Sequence, residues 1–143
     1  MDITKMFTDP LYNGYQYAVR IFGKDNVAIA ERIYILETAH YTSTQFLNGY
    51  SAGMVAFSKT YPYGWSTLQP YWDSRPIAKP NDLWSTTVGG QPFTYIVFPS
   101  FRTALMALCV RLQQDGWDPN KWNGDPTGKY GQAVNAIKNV YVV

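Results

Sequence analysis

Apolar residues recur at helical spacing in three stretches of the chain, and these set the expected architecture. In the first, Ala30, Ile33 and Glu37 fall at i, i+3 and i+7, with Val27 and Tyr34 extending the same face. Asp25 is its candidate N-cap, and the helix is expected to run to about His40. In the second, Phe101, Leu105, Leu108 and Leu112 recur after Ser100, a candidate cap, and Gly116 and Pro119 stop the helix. Tyr130, Val134 and Ile137 make a third, and Tyr15 to Phe22 a shorter one closed by Gly23. Ser85 to Val88 and Phe93 to Phe98 flank Gly89-Gly90, which predicts a β-hairpin. Tyr61 to Pro80 is rich in Pro, Gly and aromatics and is expected to be irregular. The expected class is α+β, mainly helical, with one β-hairpin inserted between two helical halves of a single domain, 1–143.

Composition narrows the functions on offer. The 143 residues carry a net charge of +2, and the basic residues are scattered singly. Nothing resembles the basic run that tracks a phosphate backbone, so no nucleic-acid partner is expected. No apolar stretch approaches the ~18 residues of a membrane span, so no membrane insertion is expected. Residues 1–10 contain acids and lack an apolar core, so the expectation is a chain made without an export signal. Cys109 is the single cysteine and His40 the single histidine. A zinc site of His and Cys is thereby disfavoured, and neither a metal nor a cofactor is expected. Cys109 lies among Leu105, Leu108 and Leu112 and is expected to be a buried thiol rather than a nucleophile. Aromatic residues make up 17%, with 12 Tyr and five Trp. Their flat apolar faces and polar tips suit core packing and also the stacking of sugar rings.

Only two glutamates occur, Glu31 and Glu37. Six helical steps of ~100° set them about 120° apart, so they are expected to do different work. Glu31 lies beside Arg32, off the Ala30–Ile33 stripe, and is expected to face solvent. Glu37 shares the core-facing stripe, where burial would favour a protonated carboxyl. A carboxylic acid that is still protonated can give its proton to a glycosidic oxygen. The plainer alternative is a helix-end carboxylate paired with a nearby donor.

The segment Ile33-Tyr-Ile-Leu-Glu37-Thr-Ala-His40-Tyr-Thr-Ser43-Thr-Gln45 resembles the glucosaminidase branch of bacterial and phage cell-wall hydrolases. In that family a helix-borne Glu is followed by a hydroxyl residue, a Gly-containing loop, a β-hairpin and an aromatic-x-x-aromatic helix start. Gly89-Gly90 through Phe98-Pro99-Ser100-Phe101 follows the same order, and Trp122-Asn123-Gly124 before Tyr130 is similar to the corresponding loop of small phage relatives. The resemblance covers roughly residues 25 to 138, leaving 1–24 as an N-terminal helical extension. It implies a lysozyme-like fold that cleaves peptidoglycan glycan strands, endo-β-N-acetylglucosaminidase-like, with Glu37 as the general acid. The alternatives are a lytic transglycosylase on the same substrate, or a non-catalytic, lysozyme-like structural or wall-binding virion component. The resemblance places the protein in the host cytoplasm until release, or on the virion, with other virion or lysis components as further partners.

The remaining candidates keep two readings each. His40 either tunes Glu37 and binds substrate or packs at the helix end. Ser43 and Gln45 either bond sugar hydroxyls or serve turns and caps. Tyr61, Tyr63 and Trp65 form either a stacking platform or an anchor for their loop. The resemblance makes Tyr95 and Tyr130 cleft-lining tyrosines. Relatives often carry a second acid near the hairpin, whereas residues 85 to 98 contain none. The nearest acids are Asp73 and Asp82, in the irregular stretch and just beyond it. A mechanism with one enzyme carboxyl is therefore expected.

Overall fold

A computed structural model describes residues 9–52, 83–88 and 90–143. Among these, six helices occur in the order α1 (Pro10–Phe22), α2 (Lys24–Glu37), α3 (Thr44–Gly49), α4 (Phe101–Gln114), α5 (Pro119–Asn123) and α6 (Lys129–Asn135). No helix among the described residues is long and apolar enough to cross a membrane.

Each helix begins for a local reason. Asp9 accepts the Leu11 and Tyr12 N–H groups, and Pro10, which has no N–H to satisfy, takes the first helical position. The helix therefore starts well ahead of the expected Tyr15. Gly23, at φ +89°, both closes α1 and opens α2, so Asp25 stands in the first turn rather than at the cap. Ser43, Ser100 and Asp118 cap α3, α4 and α5 with their side chains.

The core lies where α1, α2 and α4 meet. Tyr15 and Ala18 of α1, Val27, Ala30, Ile33 and Tyr34 of α2, and Leu105, Met106, Cys109 and Leu112 of α4 pack there, with Val134 of α6. Aromatic edges fill its middle. Phe101 lies edge-on to Tyr15 at 5.2 Å and to Tyr34 at 5.1 Å. Cys109 is buried, and burial pushes its thiol well above the usual range.

Strands β1 (Leu83–Val88) and β2 (Gln91–Ile96) pair antiparallel, with Leu83 opposite Ile96 and Val88 opposite Gln91. Among the described residues they form a two-stranded ribbon and no larger sheet. The expected α+β, lysozyme-like class is corrected here. A lone two-stranded hairpin is marginal as a layer of its own, and the described core is assembled from helices and the segments flanking them. The described body is helical.

A second correction concerns the end of α2. The helix stops at Glu37, and Ala39, His40 and Tyr41 follow with φ of 47°, 60° and 66°. Three consecutive non-glycine residues in the left-handed region are costly. Buried Thr38 holds them: its hydroxyl donates to the Tyr34 carbonyl and accepts the Tyr41 N–H at 2.7 Å. Its carbonyl accepts the Thr42 and Ser43 N–H groups at 2.8 and 2.9 Å. The chain thus turns around one threonine before α3.

Candidate functional site

Glu37 ends α2 and is half-buried, so it is not the fully buried carboxyl that the stripe predicts. The Tyr130 hydroxyl donates to its Oε1 at 2.7 Å, across 93 positions of sequence. Tyr130 sits in the first turn of α6, and one side chain from the loop before it and one from α5 fix that turn. Asp125 accepts the Tyr130 N–H at 2.8 Å, and Asn120 accepts the Gly131 N–H at 2.6 Å. The Asp125 carboxyl is itself held below the usual range, first by the Thr127 hydroxyl and then by the Tyr130 and Thr127 N–H groups. A Cβ at Gly131 would meet the Asn120 amide at 2.6 Å, so any larger residue there would displace the Asn120 side chain. Trp122 of α5 lies 6.0 Å from the Tyr130 ring, tilted by 34°.

Burial, and then the contact with Glu37, push the Tyr130 phenol well above its ordinary value. Tyr130 is therefore a fixed donor. It occupies one carboxyl oxygen of Glu37, Oε1. Most other carboxylates of the described residues are engaged elsewhere, while Asp25 stands exposed in the first turn of α2. Asp9 and Asp118 cap helices, Asp125 holds its loop, and Asp115 pairs with Arg111 at 3.2 Å. No group of three or more metal-ligating side chains occurs among the described residues.

The other expected site residues divide. His40 is exposed, in the left-handed turn rather than on the helix, with its ring edge toward Tyr41 at 6.3 Å. The left-handed backbone takes it off the helical face shared with Glu37. Ser43 caps α3 through Phe46 N–H at 3.3 Å, the plainer of its two readings. Gln45 and Tyr95 have described backbones, in α3 and β2, but their side chains lie outside the described residues, as do Tyr61, Tyr63, Trp65, Asp73 and Asp82. Of the expected residues whose side chains are described, Glu37 and Tyr130 are the two that the structure brings into contact.

Glu31 overturns its expectation. It is fully buried, not solvent-facing. Its Oε1 accepts from Asn139 Nδ2 at 2.7 Å, Val140 N at 3.0 Å and Val142 N at 3.2 Å, and its Oε2 accepts Tyr141 N at 2.6 Å. Asn139 also donates to the Ala28 carbonyl at 2.9 Å and accepts from Arg32 at 3.2 Å. Four donors replace the water that a buried carboxylate loses. The residues that supply them lie more than 100 positions away, so helical periodicity gave no sign of them.

No protein-family model, no curated protein and no solved structure matches the chain.

Proposed function

We propose that the protein cleaves the glycan strands of peptidoglycan, endo-β-N-acetylglucosaminidase-like, with Glu37 as the general acid. The observation that carries the reading is the Glu37–Tyr130 contact. A partly exposed carboxyl, held at one oxygen by a phenol that stays protonated, presents its second oxygen in a fixed direction. A fixed direction is one of the requirements for protonating a leaving glycosidic oxygen. The order of segments from Ile33 to Gln45 and around Tyr130, similar to that of cell-wall glucosaminidases, supplies the substrate class.

In this reading Oε2 of Glu37 gives its proton to the bridging oxygen as the bond from that oxygen to the anomeric carbon breaks. The electron pair leaves with the oxygen. The substrate's own N-acetyl oxygen closes on the anomeric carbon, so no second enzyme carboxyl is needed. Glu37, now ionised, takes a proton from water as the water opens that intermediate. If the C6 hydroxyl attacks in place of water, the product is an anhydro sugar and the enzyme is a lytic transglycosylase. Tyr130 donates to Oε1 throughout.

The test is cleavage of purified cell walls by wild type and Glu37→Gln, with products identified by mass spectrometry. The variant is expected to lose ~10²–10⁴ in rate while still folding. Activity within threefold of wild type removes Glu37 from the mechanism. Wild-type protein that sediments with walls and never clears them rejects the enzymatic reading in favour of a wall-binding component.

A further inference from the structure

We propose that Glu31 is a positioning residue for the Glu37–Tyr130 pair, an inference that rests on the reading of that pair as the reactive site. Glu31 and Glu37 share α2, six residues or about 9 Å apart along the axis. The segment that Glu31 gathers, Asn139 to Val142, follows α6, the helix that carries Tyr130. The Glu31 carboxylate therefore ties the helix bearing Glu37 to the chain just beyond the helix bearing Tyr130. Its donors converge from one side chain and three successive backbone amides, which define the position of that chain relative to α2.

The same clamp reaches the residues behind Glu37. Holding the Tyr141 N–H places the Tyr141 ring 5.5 Å from Tyr15, stacked, and 6.4 Å from Tyr41, edge-on. The Tyr15 and Tyr41 hydroxyls bond at 2.7 Å. Tyr41 is the last residue of the left-handed turn that follows Glu37. One buried carboxylate thus supports Glu37 from the side of its own turn and Tyr130 from the side of its own helix. Val134 packs α6 into the core. The directional bonds at Glu31 fix how far along α2 the chain after it is anchored.

Glu31→Gln keeps the volume but turns an amide N–H toward backbone donors. It is expected to lower kcat by up to ~100-fold with KM little changed, the cost of a reactive group misplaced by about 1 Å. A readout independent of cleavage is the NMR resonance of the Tyr130 ring in isotope-labelled protein, assigned with Tyr130→Phe. In the wild-type background Glu37→Gln should shift this resonance. In the Glu31→Gln background the same change should leave it nearly unmoved, a double-mutant cycle that reads the contact itself. If Glu31→Gln does not fold, Asn139→Ala removes one of the four donors, keeps the other three, and is measured in the same way. A Tyr130 response as large in these backgrounds as in wild type overturns the proposal even if walls are cleaved. A lost response upholds it even if no cleavage is found, in which case the enzymatic reading alone fails.

Discussion

A Cβ placed on Gly14 would stand 2.7 Å from Cδ1 of Phe101, so α1 and α4 approach as closely as a bare backbone allows. Phe101 cannot swing away, because Tyr15, Tyr34, Tyr41 and Phe46 crowd its ring. Gly14→Ala would gain about 1 kcal/mol in helix propensity. Overpacking costs typically ~1–3 kcal/mol and is expected to prevail at this site. Urea unfolding should show a net loss of stability, and a gain would mean that the two helices sit farther apart.

Tyr130→Phe removes the hydroxyl and keeps the ring against Trp122. Glu37 then loses its one fixed partner but remains an acid. The expected loss in rate is about tenfold, or ~1.4 kcal/mol, within what a single hydrogen bond contributes. Steady-state kinetics on a soluble glycan should place it in kcat. A loss equal to that of Glu37→Gln would instead make the phenol the proton donor.

Glu31→Ala is expected to be severe. It leaves three backbone N–H groups and the Asn139 amide facing a hole where the carboxylate was. At ~1–3 kcal/mol for each buried group left unpaired, a loss of roughly 3 kcal/mol or more is expected in chemical denaturation. A change under 1 kcal/mol would show that water reaches these amides without cost.

Stability should fall steeply in alkali. Burial raises the phenols of Tyr15, Tyr34, Tyr41, Tyr130 and Tyr141 above their ordinary value. Unfolding releases them to ionise near pH 10. The unfolded chain then binds fewer protons than the native one, so stability is intact below about pH 10 and declines as pH rises beyond it. Melting temperatures measured from pH 8 to 12 test this, and a flat profile would contradict the burial of these hydroxyls.

The sequence was most legible where the information is local. Phe101, Leu105, Leu108 and Leu112 at helical spacing after Ser100 located α4 and its cap, because both depend on neighbours within a turn or two. The end of α2 was not legible. Ala39, His40 and Tyr41 carry no glycine to announce a left-handed turn, and Thr38 enforces it through bonds that no periodicity encodes. Glu31 was misread for a related reason. A helical wheel assumes one wet face, but α2 is covered on several sides, with Val27, Ala30, Glu31, Ile33, Tyr34 and Ile35 all buried. Glu37 was visible as the end of a stripe, whereas its pairing with Tyr130, across 93 positions, had no local signal, and the resemblance made Tyr130 only a cleft-lining tyrosine.

The grip on Glu31 is spelled mostly in main chain. Val140, Tyr141 and Val142 contribute amide hydrogens that nineteen of the twenty amino acids would supply equally. Their identities are therefore free to drift with respect to this bond, and the exposed Val140 freest of all. Proline alone is barred, since it has no hydrogen to give. A lineage could rewrite these letters and keep the clamp intact, so a comparison of sequences letter by letter would pass over it.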